Sequence, residues 1–329
     1  MPDTQYYVGL DVGGTTMKAA VVDDAGDPAP AVSLPTEPHR GQEAGLETMC
    51  EAIRQAVKAA GLTLDRVAAI GVATPGLMDI KLGLILDPPN LKPWRNVPVR
   101  DHVKRVFNKP TAFQNDANAA ALGEFWVGAG RDVNSFVLFT LGTGIGGGVV
   151  VDGKVIEGEH SHGGEVGHLR IDLPDRGRLC GCGRRGCLEA YASATGVVAR
   201  AREAMAADRR PTRLRELLRD ADGSELTAKE VFDVAAAGDH LAQEIVDETA
   251  YYLALGACAM MATVDPQMIA FGGGMSEAGE PFLAKIKEYV GRFGLSYPAS
   301  KVQIRYAQLG SDAGFIGAAA CARQLVAKG

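Results

Sequence analysis

The chain has 329 residues, of which 47% are hydrophobic and 22% charged, and its formal net charge is −6 at pH 7. This length and composition are typical of a globular protein with two domains. The acidic balance argues against a general nucleic-acid binder, and the longest apolar stretch, residues 251–264, is too short and too rich in small residues to span a bilayer.

The first hundred residues predict a strand, a glycine-rich loop and a partner strand. Residues 6–10 and 19–22 have strand patterns, and residues 11–18 between them are dense in glycine and hydroxyl side chains. Several prolines predict irregular surface chain over 23–38. A helix over 46–60 and a buried strand over 67–73 follow, and the strand ends in Thr74-Pro75-Gly76.

The middle of the chain repeats this pattern. After a helix over 99–107, a short strand over 111–116 ends in polar residues and leads into a helix over 117–126. A strand over 135–141 then enters a glycine loop over 142–148, and a strand resumes at 149–151. This second strand–loop–strand unit resembles the first, which indicates an internal duplication.

Helices dominate the remainder. They are predicted over 197–207, 212–218, 228–236 and 240–264, with a closing helix over 312–327. A strand over 268–271 ends in a third glycine run, Gly272-Gly273-Gly274, and residues 302–305 predict a late edge strand.

A cluster of three cysteines predicts a metal site. Cys180, Cys182 and Cys187 lie within eight residues, interleaved with glycine, and His168 precedes them by a dozen residues. A Cys3His set suits tetrahedral Zn²⁺. The alternative is a group of buried or disulfide-bonded cysteines. His160 and His162 are alternative metal ligands that lie further from the cysteines along the chain.

The other three cysteines lie apart in apolar helical segments. Cys50, Cys258 and Cys321 predict small core residues, so the six cysteines do not form a disulfide framework. The N-terminus reaches a strand within a few residues and has no signal-peptide pattern. We therefore expect a cytoplasmic, reducing environment.

The three glycine runs predict a nucleotide phosphate site. Glycine lets backbone amides approach a phosphate closely, and each run follows a predicted strand. The first two lead into another strand, so they match neither a P-loop nor a dinucleotide fingerprint. The alternative is that they are structural hairpin turns.

Asp116 is the best candidate for a general base. A carboxylate at a strand end can accept the proton of a sugar hydroxyl that attacks a γ-phosphate. The alternative is that Asp116 is the N-cap of the helix that follows.

A second set of polar residues predicts a polyol ligand. Carboxylates, an imidazole and amides together bind neighbouring hydroxyls. The candidates are Asn90, Asn115, Glu165, His168 and Glu189. The alternative for each is a surface loop residue.

These motifs together resemble the ROK (repressor, open reading frame, kinase) family of sugar kinases. The most specific are Glu165-Val166-Gly167-His168 and the cysteine run that ends in Gly186-Cys187-Leu188-Glu189. They occur with the Asp11 loop and Asn115-Asp116, and the resemblance covers nearly the whole chain, most closely to zinc-containing bacterial glucokinases.

The resemblance implies a role for each motif. Asp116 would take the proton from a sugar 6-hydroxyl, and Gly76 would bring backbone close to the sugar. Asn90, Asn115, Glu165, His168 and Glu189 would hold the other hydroxyls. His168, Cys180, Cys182 and Cys187 would bind structural zinc, with one ring nitrogen of His168 on the metal and the other facing the sugar. Asp11 would help to place Mg²⁺. The nucleotide would contact Asp11, Gly13, Gly14, Thr15, Lys18, Thr143, Gly144, Gly273 and Gly274.

The resemblance also implies an actin/hexokinase-like α/β fold, with a duplicated ribonuclease H-like core and a cleft between two domains that close on the sugar. We expect a smaller domain of residues 1–116 with 313–329, onto which the last helix packs, and a larger one of residues 117–312 that carries the zinc unit and the oligomer contacts. A homodimer or homotetramer is expected, with no membrane or nucleic-acid partner.

The function expected from the resemblance is ATP-dependent phosphorylation of glucose at the 6-hydroxyl. The alternatives are a kinase for fructose, mannose, allose, N-acetylglucosamine or N-acetylmannosamine, and polyphosphate in place of ATP. A sugar-responsive transcriptional regulator is less favoured, because a strand begins by Tyr6 and leaves no room for a DNA-binding segment before it.

Overall fold

The computed structural model describes residues 4–220 and 226–327. These residues form a mixed α/β protein. The strands are β1 (Tyr6–Val12), β2 (Thr16–Asp23), β3 (Val32–Pro35), β4 (Val67–Thr74), β5 (Leu77–Asp79), β6 (Leu84–Asp87), β7 (Thr111–Asn115), β8 (Ser135–Leu141), β9 (Ile145–Val151), β10 (Lys154–Val155), β11 (Met268–Gly272) and β12 (Gln303–Tyr306).

The helices are concentrated in the second half of the chain, as the sequence predicts. They are α1 (Gln42–Ala59), α2 (Val99–Phe107), α3 (Asp116–Val127), α4 (Glu189–Ala192), α5 (Ala194–Ala207), α6 (Arg213–Asp220), α7 (Ala228–Ala236), α8 (His240–Val264), α9 (Glu280–Phe293), α10 (Ser296–Lys301) and α11 (Ala313–Ala327). None of the helices in the described part of the chain is long and apolar enough to cross a membrane.

The two large sheets share one strand order. The first runs β3-β2-β1-β4-β7, and the second runs β10-β9-β8-β11-β12. Numbered within each sheet, both read 3-2-1-4-5. Consecutive strands β1 and β2 pair antiparallel, whereas β4 and β7 join in parallel. The repeated order agrees with the internal duplication that the two glycine loops indicate.

The packing divides the chain into two compact units. The first consists of Met1–Phe136, Gly148–Gly164 and Gln308–Gly329, and the second of Val137–Gly147 and Glu165–Ala307. The first unit includes α3, whereas the larger domain predicted from the sequence begins at residue 117. The domain boundary at residue 116 stays a prediction.

Alternating side chains of the first sheet face two different helices. Val8 and Ile70 pack with Ile53 of α1. Their neighbours Tyr7 and Ala69 point to the other face and pack with α11. This period of two is what strand geometry imposes on a sheet buried on both sides.

Glycine lets α11 lie very close to the first sheet. A Cβ atom on Gly9 would lie 1.8 Å from the carbonyl oxygen of Phe315, and one on Gly71 would lie 1.8 Å from that of Ala318. No side chain larger than hydrogen fits at either position. The closing helix therefore packs on the N-terminal sheet, as predicted.

Two local predictions are wrong. Residues 32–35 form β3, which pairs with β2 as an edge strand, although proline predicted irregular chain; Pro35 is tolerated at the end of an edge strand. The second glycine loop spans only 142–144, because β9 begins at Ile145 and includes Gly146, Gly147 and Gly148. Gly147 packs against the carbonyl of Leu138, where a Cβ would lie 2.3 Å away. These strand glycines admit close backbone contact.

Candidate active site

Polar residues of the first unit gather at the carboxyl ends of three parallel strands. Asp11 is the penultimate residue of β1, Gly76 follows β4, and Asn115 ends β7. The pairing aligns Asp11 with Ala73 and Asn115 with Thr74, so the three ends share one sheet edge. Gly76 has φ of 89°, a conformation that favours glycine. This edge is where α/β sheets bind ligands.

Asn115 is the N-cap of α3, and Asp116 is the first residue of that helix. The Asn115 Oδ1 atom accepts hydrogen bonds from the amides of Ala117 at 3.0 Å and Asn118 at 3.1 Å. Asp116 Oδ1 accepts from the Ala117 amide at 2.8 Å. The capping role considered for Asp116 thus belongs to its neighbour. The cap uses only the Oδ1 atom of Asn115, so the side-chain NH2 group can donate to a ligand.

The Asp11 carboxyl group has an unusually high proton affinity. Burial raises its pKa to about 7, the neighbouring carboxylate of Asp116 adds to the rise, and Lys18 opposes it. A desolvated carboxylate beside a second carboxylate favours a proton or a cation. Carboxylate oxygen is also the ligand type that Mg²⁺ prefers, so this pair fits a magnesium ion.

The first glycine loop is closed by Thr36. The Thr36 hydroxyl donates to the carbonyl of Gly13 at 2.7 Å, and its amide donates to the carbonyl of Thr15 at 2.9 Å. Gly14 packs on Asn90, and a Cβ on Gly14 would lie 3.2 Å from the Asn90 carbonyl oxygen. A predicted nucleotide residue and a predicted sugar residue are thereby neighbours.

Lys18 is held by the segment that leads into α11. Its Nζ atom lies 2.6 Å from Asp312 Oδ1 and 3.2 Å from Ser311 Oγ. The ammonium group also lies 5.4 Å from the centre of the Phe315 ring, a distance at which a cation and an aromatic face attract. Lys18 is therefore already paired within the first unit.

The second unit brings the predicted metal ligands together. One donor atom from each of His168, Cys180, Cys182 and Cys187 lies within 4.8 Å of the others. The sulfur atoms of Cys182 and Cys187 are 3.7 Å apart. Two thiolates bound tetrahedrally to one zinc ion at about 2.3 Å would be about 3.8 Å apart. The donor set and its spacing therefore fit zinc, and His168 is the histidine that completes it.

His168 has its two ring nitrogens on different partners. Nδ1 lies 3.9 Å from Cys180 Sγ, and Nε2 lies 4.0 Å from Glu165 Oε2. Glu165 itself is exposed. A metal on the Nδ1 side would leave Nε2 as the outward nitrogen beside a carboxylate, which agrees with the two tasks predicted for this residue.

Glu189 connects the cysteine cluster to the second glycine loop. Oε1 lies 3.3 Å from Cys180 Sγ, and Oε2 accepts a hydrogen bond from the Ile145 amide at 2.9 Å. A Cβ on Gly144 would lie 2.4 Å from Oε2. The predicted sugar ligand Glu189 and the predicted nucleotide residue Gly144 are therefore in direct contact.

The third glycine run adjoins the second. Gly273 has φ of 85°, and a Cβ there would lie 2.5 Å from the carbonyl oxygen of Leu141, the residue that precedes the loop 142–144. Strands β8 and β11, which lead into the two runs, are neighbours in the second sheet. Thr143, Gly144, Gly273 and Gly274 thus belong to one region of the second unit.

Two buried polar residues of the first unit were not predicted from the sequence: Gln114 lies beside Asn115 at the sheet edge, and Glu124 joins α3 to the segment before α11. Gln114 is buried, accepts a hydrogen bond from the Asn115 amide at 2.9 Å and donates to Glu157 at 2.9 Å. The fully buried Glu124 accepts from the amides of Ala129, Gln308 and Leu309. A glutamate inside an apolar helical pattern is the signal that could have found Glu124.

Comparison with known proteins identifies the family of this chain. The model of the ROK family matches residues 7–325. A glucokinase from Halalkalibacterium halodurans is 37% identical over 314 residues, which cover 95% of this chain and 93% of the relative. An N-acetylmannosamine kinase from Citrobacter koseri is 33% identical over 314 residues, covering 95% and 97%.

Solved structures agree with the family match. A ROK hexokinase from Thermus thermophilus has a TM-score of 0.83 at 35% identity and covers 99% of this chain and all of its own. A ROK family glucokinase from Streptomyces griseus, solved in complex with glucose and AMPPNP, has a TM-score of 0.78 at 34% identity, covering 97% and 99%. The predicted two-domain, actin/hexokinase-like fold is confirmed.

Proposed function

The chain belongs to the ROK family, and from this premise we propose that it is a hexokinase that transfers the γ-phosphoryl group of ATP to the 6-hydroxyl of glucose. The observation that carries the proposal is the placement of Asp11 and Asp116 at the carboxyl ends of strands in one sheet, an edge that also holds the first glycine loop. The similarity to a glucokinase solved with glucose and AMPPNP supports the same substrates.

In this proposal Asp116 is the general base. It would accept the proton of the sugar 6-hydroxyl as that oxygen attacks the γ-phosphorus and the bond to the β,γ-bridging oxygen breaks. Asn115 fixes the start of α3 and therefore the position of Asp116. Gly76 would admit the sugar close to the backbone, and Asn90 would bind a hydroxyl.

The second unit would supply further hydroxyl ligands. Glu165 and Glu189 would accept hydrogen bonds, and the outward nitrogen of His168 would bind a third hydroxyl. Zinc on His168, Cys180, Cys182 and Cys187 would fix the orientation of the imidazole ring. This assignment is supported by the separate partners of the two ring nitrogens.

The glycine runs would bind the nucleotide through backbone amides. Gly13, Gly14 and Thr15 would contribute from the first unit, with Lys18 paired to Asp312 beside them. Thr143, Gly144, Gly273 and Gly274 would contribute from the second. Asp11 would help to hold Mg²⁺, which supplies charge neutralisation at the phosphates.

We propose that the enzyme acts in the cytoplasm, because none of the cysteines outside the metal cluster is disulfide-bonded in the described part of the chain, which suits a reducing compartment. From the family resemblance, we also propose that it forms a homodimer or homotetramer.

A hexose panel tests the proposal. Purified protein with Mg-ATP should release ADP fastest, ranked by kcat/KM, with glucose. Controls without sugar and with 6-deoxyglucose, which lacks the accepting hydroxyl, should give background rates. The proposal fails if no hexose raises ADP release above that background.

A second candidate is a kinase for N-acetylmannosamine, which the similarity to the Citrobacter koseri kinase favours. It would prevail if N-acetylmannosamine exceeded glucose in kcat/KM in the same panel. Polyphosphate in place of ATP tests the phosphoryl donor.

A further inference from the structure

The second glycine loop, residues 142–144, has each of its carbonyl groups bound by a donor of the protein. The Ala194 amide donates to the Gly142 carbonyl at 2.9 Å, and the Thr195 hydroxyl donates to the Thr143 carbonyl at 2.8 Å. The Gly142 amide donates to the Gly144 carbonyl at 3.0 Å. Two of the three donors come from the first turn of α5.

These bonds decide where the loop amides point. In a trans peptide the C=O and the following N–H lie on opposite sides. Because the carbonyls of Gly142 and Thr143 point to α5, the amides of Thr143 and Gly144 point away from it. Neither amide has an acceptor among the residues that the structure describes. Two adjacent amides without an acceptor in a glycine turn can both donate to one anion.

The Thr195 hydroxyl has a defined orientation. Its single proton is donated to Thr143, so in the 3.0 Å contact between the hydroxyls of Ser193 and Thr195 the donor is Ser193. Ser193 is almost fully buried and accepts from the Gly196 amide at 3.1 Å as the N-cap of α5. The chain of hydroxyls therefore runs from Ser193 through Thr195 to the loop.

The opposite end of the loop is fixed by Glu189, whose Oε2 atom accepts from the Ile145 amide. The first unit has a contact like that of Thr195. The Thr36 hydroxyl donates to the Gly13 carbonyl, and the Gly14 amide therefore points to the opposite side. A threonine hydroxyl on a glycine-loop carbonyl thus occurs in both halves of the chain.

We propose that Thr195 is a positioning residue for ATP: its hydroxyl holds the Thr143 carbonyl so that the Gly144 amide points at a phosphate group. This inference rests on the proposed function. Thr195 does not contact the nucleotide in this account, and it acts through the peptide between Thr143 and Gly144. Loss of one such hydrogen bond should weaken binding about five- to tenfold.

Thr195→Val removes the hydroxyl while keeping the branched shape, and Thr195→Ser keeps it. The Kd of a non-hydrolysable ATP analogue is measured by calorimetry, together with kcat and KM for ATP and glucose. Thr195→Val should raise the analogue Kd and the KM for ATP about five- to tenfold and leave the glucose Kd unchanged. Thr195→Ser should stay within about twofold of the parent protein.

Thr263→Val is the matched control, because the exposed Thr263 also donates its hydroxyl to a carbonyl, that of Ala259, at 2.7 Å. It should leave all constants unchanged. Thr195→Ala, checked by its melting temperature, repeats the test with a smaller side chain. The inference is overturned if Thr195→Val and Thr195→Ala bind the analogue as the parent does, or if glucose affinity falls equally. Absence of ATP-dependent hexose phosphorylation in the parent protein would instead defeat the proposed function.

Discussion

The Sγ atom of Cys180 lies 3.3 Å from the Oε1 atom of Glu189, so a predicted metal ligand and a predicted sugar ligand share a hydrogen bond. Burial raises the pKa of the Cys180 thiol, and hydrogen bonding to Glu189 raises it further. Zinc binds the thiolate form, so a zinc ion held by the cluster would displace this proton, and Glu189 Oε1 would lose its sulfur donor. That oxygen can then accept from a sugar hydroxyl.

Cys182→Ser should abolish zinc binding and lower glucose affinity. The parent protein should carry about one zinc per chain, and the variant far less, because three protein ligands do not close a tetrahedral structural site. Metal content by inductively coupled plasma mass spectrometry and glucose Kd by calorimetry check both effects.

Cys258→Ser is the control for that experiment, since Cys258 is a half-buried thiol outside the cluster. It should retain the zinc content of the parent. Wild-type zinc in Cys182→Ser would remove Cys182 from the ligand set.

Asp116→Asn should lower kcat by about 10²–10⁴-fold, because an amide cannot accept the hydroxyl proton. The fold should persist, since Asn115 rather than Asp116 caps α3. Coupled ADP assays and circular dichroism give the two readouts. Asp101→Asn, an equivalent change in the first turn of α2, should leave kcat unchanged. Activity of Asp116→Asn within tenfold of the parent would exclude Asp116 as the base.

The raised pKa of Asp11 predicts a loss of stability as pH increases. The carboxyl titrates at about 7 in the folded chain and near 3.8 when unfolded. Between these values the folded state keeps a proton that the unfolded state releases, so the free energy of unfolding falls as pH rises. Above pH 7 the buried Asp11 carboxylate is ionised and destabilises the folded state by on the order of 2 kcal/mol, a figure reduced to allow for solvent screening.

Asp11→Asn removes this titration. In magnesium-free buffer, the variant should be more stable than the parent at pH 8, and the difference should vanish near pH 4. Urea denaturation at both pH values measures it. A stability difference that does not change with pH would contradict the assignment.

Gly71→Ala should destabilise the first unit by about 3 kcal/mol or more, because the added methyl group would meet the Ala318 carbonyl and force α11 away from β4. Gly291→Ala is the matched change in α9, where no atom lies within 4 Å of the added Cβ. It should stabilise by about 0.5–1 kcal/mol through helix propensity. Urea denaturation measures the change in the free energy of unfolding for each variant. Equal changes would show that α11 does not pack closely against β4.

The sequence predicted most of the long strands and helices, although it did not predict α9 (Glu280–Phe293), and it predicted the Cys3His set from spacing. It failed at β3, because its pairing with β2 depends on a partner outside the local pattern. It also overextended the second glycine loop, since the glycines after Ile145 read as turn but serve close packing inside β9. Both errors arise where tertiary contact overrides local propensity.

The amino-acid sequence by itself determined the family, the duplicated α/β plan and the residue types of the site, because spacing and periodicity are local properties of the chain. The tertiary structure alone decided that Asn115 is the cap, that Nδ1 of His168 faces the thiols and that Thr195 holds the Thr143 carbonyl. These depend on the direction of single hydrogen bonds between distant segments, and no local pattern encodes that direction.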